Sequence, residues 1–264
     1  MPRPSPEVLD LFAADGSVEA LVGGRGDSVH VGDLVLSPGR DAAVAEHLSP
    51  VLARLAVRLD SRPGRGARDL RIAVPVPARD GSWVVEGWAA SRFEPGTTAC
   101  RDLDVVLATG RLLHAVLASE VRRPPDVLAR RRDRWAVAER LAFGPVADLP
   151  DAPLVRRLAA GLEEVDLGHD QLVHADLAGN VLLDAYGAPV VIDVSPAWRP
   201  ARWAEAVCVL DATTWLGADP AALAPYHHGV DRQAMLRALL FRVLSDPEDI
   251  AATAYDAALP VVES

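Results

Sequence analysis

The sequence predicts an α+β chain: a small β-rich first part, residues 1–95, followed by a larger and mostly helical second part, residues 96–264. Three observations predict it. Short apolar runs with the period of strands fill the first part, broken by one long stretch of helical period. After Glu94-Pro95-Gly96 the helical period takes over. A single short β-rich segment, Leu172 to Asp193, then interrupts the helices.

Taken in order, Ser5-Pro6 starts a short helix through Phe12, with Ser5 as cap and Pro6 at the first helical position. Glu19 to Val22 reads as a strand, Gly23 to Ser28 as a turn, and Val29 to Leu36 as a returning strand. Val44, Leu48, Leu52, Leu55 and Leu59 share one helical face. The Pro/Arg-rich segment Ser61 to Arg68 is expected to be an exposed loop. Leu70 to Pro77 and Trp83 to Phe93 read as two strands joined at Arg79-Asp80-Gly81. In the second part, Leu103, Val106, Leu107, Gly110, Leu113, His114 and Leu117 lie on one face of a helix. Further helices are expected at Pro125 to Phe143, Ala152 to Leu162, Pro200 to Leu216, and from an Asp231 cap through Leu244.

Bulk composition excludes several classes. A net charge of −10 argues against a nucleic-acid partner, because phosphate contacts need a basic face. No apolar run is long enough to span a bilayer and the first residues lack a signal-peptide core, so a cytoplasmic protein with no membrane partner is expected. Cys100 and Cys208 are far apart with no ligand pattern beside them, and read as ordinary reduced thiols. All 27 basic side chains are arginine, because the chain contains no lysine.

The chemistry concentrates in one run. Asn180 is the only asparagine, and it follows His174-Ala-Asp176-Leu-Ala-Gly179 and precedes the apolar Val181-Leu182-Leu183. A second apolar run, Val190-Val191-Ile192, ends in Asp193. An apolar strand, a turn carrying Asp and Asn, and a second strand ending in Asp is how a kinase fold builds a phosphoryl-transfer site. These residues resemble the H-G-D-L-x-x-x-N-V-L loop and I-D strand end of the aminoglycoside-phosphotransferase-like branch of the protein-kinase fold. The run Ile192 to Pro200, with Trp203 and Asp211 downstream, looks most like an actinobacterial group within that branch. The resemblance covers nearly the whole chain. It implies a bilobal fold with a nucleotide-binding first lobe, and ATP-dependent phosphorylation of a hydroxyl on a small molecule that it does not name.

The resemblance implies that Asp176 orients or accepts the proton of the attacking hydroxyl. Read alone, Asp176 is a turn aspartate bonded to its own loop; His174, Asn180 and Asp193 at the family's spacing favour the functional reading. Asn180 and Asp193 would be oxygen ligands to Mg²⁺, which needs few protein ligands when nucleotide phosphates and water complete its shell. Their bland alternatives are a left-handed turn residue and a strand-ending carboxylate. His174 reads as a buried histidine bracing the loop rather than as an acid or base. Gly23, Gly24 and Gly26 sit where a first hairpin would cover phosphates with backbone N–H groups. Glu46 lies where a kinase-fold helix places the partner of a strand lysine, and reads equally as a solvated helix charge. Trp198, Arg199 and Arg202 are candidates for a substrate wall or for a structural Trp–Arg stack.

Two departures from the pattern stand out. The position aligned to the strand lysine is Ser37, leaving Arg40 or Arg71 to reach the phosphates. The Asp176 to Asn180 interval is also one residue shorter than in related kinases. The alternative to a small-molecule kinase is therefore a kinase-fold protein that binds a nucleotide or metabolite without transferring a phosphoryl group.

Overall fold

The computed structural model describes residues 2–21, 27–246, 250, 253–256 and 258–260. In chain order the first elements are α1 (Pro6–Leu11), β1 (Glu19–Ala20), β2 (Val29–Val31), β3 (Leu34–Ser37), α2 (Ala42–Asp60), β4 (Arg71–Ile72), β5 (Pro75–Val76), β6 (Ala89–Arg92) and β7 (Thr98–Ala99). Then come α3 (Leu103–Glu120), α4 (Asp126–Arg130), α5 (Arg134–Phe143), α6 (Pro153–Ala159), β8 (Gln171–His174), β9 (Val181–Leu183) and β10 (Pro189–Val191). The last are β11 (Pro196–Arg199), α7 (Ala201–Trp215) and α8 (Gly229–Ser245). The fold mixes helix and sheet, and it packs as two compact units: residues 1–100 with 179–193, and residues 101–178 with 194–264. Gly179 to Asp193, which the sequence assigned to the helical part, thus packs with the first hundred residues.

The first unit holds a five-stranded antiparallel sheet in the order β1-β2-β3-β6-β5. Val8, Phe12, Val31, Leu36 and Trp88 are buried in one apolar cluster there. The expected single strand 29–36 is a hairpin, turned at Gly32-Asp33. Gly32 has φ +63°, and a Cβ there would lie 2.6 Å from the Asp15 carbonyl oxygen, so only glycine fits the turn. The Gly-Asp pair was a readable hairpin signal. Asp41 caps α2, its Oδ1 accepting from the Val44 N–H at 3.1 Å, and Leu48, Leu52 and Leu55 are buried, on the face the heptad-like spacing selected.

The expected strand 70–77 divides between two sheets. β5 joins the five-stranded sheet, while β4 lies parallel to β10 in a four-stranded sheet ordered β4-β10-β9-β7. Of the expected strand 83–93, only 89–92 pairs as a strand, after an isolated Val85–Trp88 bridge.

In the second unit, α3, α5, α7 and α8 supply a core centred on Trp203. Phe143 and Phe241 meet its ring edge-on at centroid distances of 5.5 and 5.2 Å. The expected helix 125–143 is two helices. Asp133 caps α5 by accepting from the Ala136 N–H at 3.0 Å, and Arg131 grips the same carboxylate at 2.8 and 3.0 Å. Three consecutive arginines followed by a capping aspartate favour that break over a continuous helix. β11 was not foreseen; it pairs antiparallel with β8. Among the described residues no helix is long and apolar enough to cross a membrane.

Candidate functional site

The chain leaves the second unit after Ala178 and re-enters it at Val194, so the predicted residues fall into two groups. His174 and Asp176 belong to the second unit, and Asn180 and Asp193 to the first.

In the second unit, β8 is buried along its length and delivers the chain to Asp176. Pro196 on β11 sits opposite His174, and the Ala175 N–H donates to the Ser195 carbonyl at 2.9 Å. The His174 ring is fully buried, and its Nδ1 accepts from the Asp176 N–H at 3.1 Å and the Ser195 N–H at 3.4 Å. A nitrogen that accepts two N–H groups carries no proton, so Nδ1 is the bare nitrogen of this ring. Helix α3 buttresses the loop from two positions one turn apart. His114 Nε2 accepts from the His174 backbone N–H at 3.1 Å. At Gly110 a Cβ would stand 2.5 Å from Leu177 Cδ2, so the missing side chain is what seats buried Leu177. The sequence placed Gly110 and His114 on the buried face but gave no sign that they hold the loop.

Burial, and then the neighbouring His174, lower the pKa of His114 to about 3 from its usual 6.5. Between those values the unfolded chain binds a proton that the folded chain refuses, so stability falls as pH drops below 6.5, by up to about 1.4 kcal/mol per pH unit. Buried Asp211 carries the opposite sign. Burial raises its carboxyl from 3.8 to about 6, so its contribution grows as pH falls from 6 to 3.8. The His114→Gln variant isolates the histidine term. Its urea midpoint, compared with wild type from pH 7.5 to 4.5, is expected to show a deficit that shrinks steadily below pH 6.5; a constant deficit would contradict the assignment.

Asp176 is the exposed tip of this arrangement, with its side chain 47% accessible. Its Oδ1 is held at 2.8 Å by Nη2 of Arg242, which comes from α8 and is itself buried. Arg242 is clamped from its other side by Asp211 on α7, which accepts from Nε at 2.8 Å and also from Nη2. Burial disfavours the guanidinium charge, but the Asp211 and Asp176 carboxylates outweigh it and raise the Arg242 pKa. One carboxylate oxygen of Asp176 is thereby pinned by a buried cation. The sequence did not identify Arg242 or Asp211 as site residues. The available signal was a charge in each of two apolar runs, Leu239-Leu240-Phe241-Arg242-Val243 and Val207-Cys208-Val209-Leu210-Asp211, since a buried charge demands a partner.

In the first unit, β9 and β10 pair antiparallel with Val181 opposite Val191. Asn180 precedes β9, and its carbonyl accepts from the Ile192 N–H at 3.0 Å. Asn180 and Asp193 therefore come to the same end of this hairpin, Asp193 one residue beyond Ile192 and with φ +50°. An amide oxygen and a carboxylate are hard oxygen donors suited to Mg²⁺. The Asp193 carboxylate already holds a cation: Nη1 of Arg40 lies 2.5 Å from its Oδ1. Among the described residues no cluster of three His, Cys, Asp or Glu side chains forms a closed metal cage.

Other predicted residues are engaged elsewhere. Glu46 is exposed, and its Oε1 accepts from the Trp83 N–H at 3.1 Å, closing the turn between β5 and β6. Gly23, Gly24 and Gly26 lie outside the described residues. Arg71 is tied to Glu94 at 3.0 Å and Asp60 at 3.5 Å. Arg199 pairs with Glu139 at 3.0 Å, where burial raises the glutamate pKa, and stacks 4.4 Å from the Phe143 ring centroid. Arg202 pairs with Asp231. Trp198 and Arg199 face Leu172 and Gln171, so Arg199 lies roughly 16 Å of extended chain upstream of Asp176 along the ladder. A cavity of about 680 Å³ opens at that far end, lined by Arg202, Glu205, Gln171 and Asp231 among others, and Asp176 is not part of it.

No protein-family model matches the sequence, and no curated protein matches it. Solved structures do. Choline kinase LicA from Streptococcus pneumoniae is similar over 97% of this chain and 96% of its own, with TM-score 0.56 and 13% identity. A thermostable mutant of aminoglycoside phosphotransferase APH(4)-Ia, in ternary complex with ADP and hygromycin B, is similar over 97% and 96%, with TM-score 0.54 and 16% identity. A choline/ethanolamine kinase family protein from Mesorhizobium loti is similar over 98% and 91%, with TM-score 0.52 and 15% identity. At these identities the likeness establishes the fold: the protein-kinase-like architecture of small-molecule kinases.

Proposed function

We propose that the protein is an ATP-dependent phosphotransferase with a bilobal kinase fold, acting on a hydroxyl group of a small molecule. The observation that carries this reading is the β9–β10 register, which brings Asn180 and Asp193 to one end of a hairpin. Asp176, its carboxylate fixed through Oδ1, supplies a second oxygen to a substrate hydroxyl. In the step proposed, the hydroxyl oxygen forms a bond to the γ-phosphorus, the bond from that phosphorus to the β,γ-bridging oxygen breaks, and ADP leaves. The hydroxyl proton passes to Asp176 or onward to solvent. Such a reaction asks the protein chiefly for positioning and charge compensation. Mg²⁺, held by Asn180 and Asp193, would offset the negative charge of the phosphates. Support for nucleotide use comes from the phosphotransferase neighbour, whose complex contains ADP and hygromycin B. The acceptor here is a different question, because Arg199 and Arg202 are paired with Glu139 and Asp231. The actinobacterial affinity rests on the Ile192 to Pro200 run with Trp203 and Asp211 downstream.

One observation favours a second reading, a kinase-fold binding protein without transfer chemistry. Arg40 already neutralises Asp193, in a chain that has no lysine for the phosphates.

Calorimetry tests the first reading. ATP and GTP, each with and without Mg²⁺, are titrated into wild type and Asp193→Ala. Wild type is expected to bind a nucleotide only with Mg²⁺, and Asp193→Ala to weaken that binding by at least about tenfold, the loss from one charged ligand. Absence of nucleotide binding under every condition sinks the proposal.

A further inference from the structure

We propose that Arg40 is the phosphate-binding cation of this protein, taking over the work of the lysine that the chain lacks; the inference rests on the phosphotransferase reading above. Arginine is the only strong cation available to the site, because all 27 basic residues are arginine. The sequence left two candidates, and the structure separates them. Arg71 is committed to Glu94 and Asp60 and reaches within 4.0 Å of Asp184, three carboxylates that no metal site requires. Arg40 instead points at Asp193.

The root of Arg40 is fixed. Its backbone N–H donates to the Gly87 carbonyl at 2.9 Å, and the next residue, Asp41, is the cap of α2. The side chain therefore projects from a rigid junction between β3 and α2. Its side chain remains 30% accessible, so it is not locked in a dry interior. Mg²⁺ held by Asn180 and Asp193 would bring nucleotide phosphate oxygens beside this carboxylate. A cation in contact with the Asp193 carboxylate stands beside any phosphate that a metal held there would carry. Without nucleotide, Asp193 is the anion available to it. With nucleotide, the phosphates carry more charge than one carboxylate, and the guanidinium fork matches their paired oxygens. A small turn of a long side chain about a fixed root makes the exchange. This explains how a chain without the strand lysine retains Asp176, Asn180 and Asp193.

The test compares Mg-ATP with adenosine, titrated calorimetrically into wild type and Arg40→Gln. Loss of one charged phosphate contact is expected to weaken Mg-ATP by roughly ten- to hundredfold. Adenosine, which has no phosphate, is expected to bind both proteins equally, and it also reports that the variant is folded. If Arg40→Gln binds Mg-ATP as tightly as wild type, or more tightly, the inference falls while the phosphotransferase reading stands; Arg40 would then only shield Asp193. A parallel loss of adenosine also overturns it, since the effect would not lie at the phosphates. Failure of wild type to bind Mg-ATP overturns both.

Discussion

Replacing Arg242 with methionine is expected to cost about 3–5 kcal/mol of stability, the usual penalty for stranding one partner of a buried ion pair. Asp211 is the partner that matters. It is buried on α7, and the Arg242 guanidinium is the counterion that lets it stay ionised there. Asp176 adds little to that penalty, because its carboxylate is half exposed and water screens it. Replacing both members, as in Arg242→Met with Asp211→Leu, is expected to recover most of the stability, since an apolar pair avoids the desolvation cost of two charges. Chemical denaturation of the two variants checks both outcomes. The recovered double variant then separates structure from chemistry. It is folded, but Asp176 has lost the hold on its Oδ1, so Mg-ATP turnover is expected to remain impaired. Equal loss of stability in single and double variants would show that Arg242 matters for packing rather than for its charge.

The network also shows where sequence reading stops. The strand–turn–strand pattern around Asn180 was legible because its signals are local: one asparagine, two apolar runs and an aspartate at their end. α1, α2, α3, α7 and α8 were legible for the same reason, since helical faces are written within a few residues, although Asp231, expected as the cap of α8, lies inside its first turn. The grouping of 179–193 with the first hundred residues was not, because it rests on β4 and β7 pairing with β10 and β9 across about a hundred residues of sequence. The Asp176–Arg242–Asp211 chain joins a loop to two helices 35 and 66 residues away, and no spacing rule connects them. Glu46 and Arg199 were read by type and position. Their partners, the Trp83 N–H and Glu139, depend on tertiary packing that the period of neither helix nor strand reports.

Asp176→Asn is expected to lower turnover of Mg-ATP by about 10²- to 10⁴-fold, the range for removing a positioned acid–base group, with little change in stability or nucleotide affinity. The argument follows from the hydrogen bond to Arg242. Arg242 offers only donors, so asparagine at 176 must turn its amide oxygen toward the guanidinium. Its remaining atom is then an NH₂ group, which presents hydrogens where the carboxylate presented a lone pair. A substrate hydroxyl would be met by a donor and turned with its own lone pair toward residue 176, away from the γ-phosphorus. The contact to Arg242 and the burial of Asp211 survive, so the unfolding free energy is expected to change by less than about 1 kcal/mol. Nucleotide binding depends in this account on Asn180, Asp193 and Arg40, so calorimetry with Mg-ATP is expected to give the wild-type affinity. This pairing, chemistry lost and binding kept, is the signature of a group that acts on the acceptor. If turnover survives Asp176→Asn, the reaction does not use this carboxylate, and the constraint placed on it by Arg242 is purely structural.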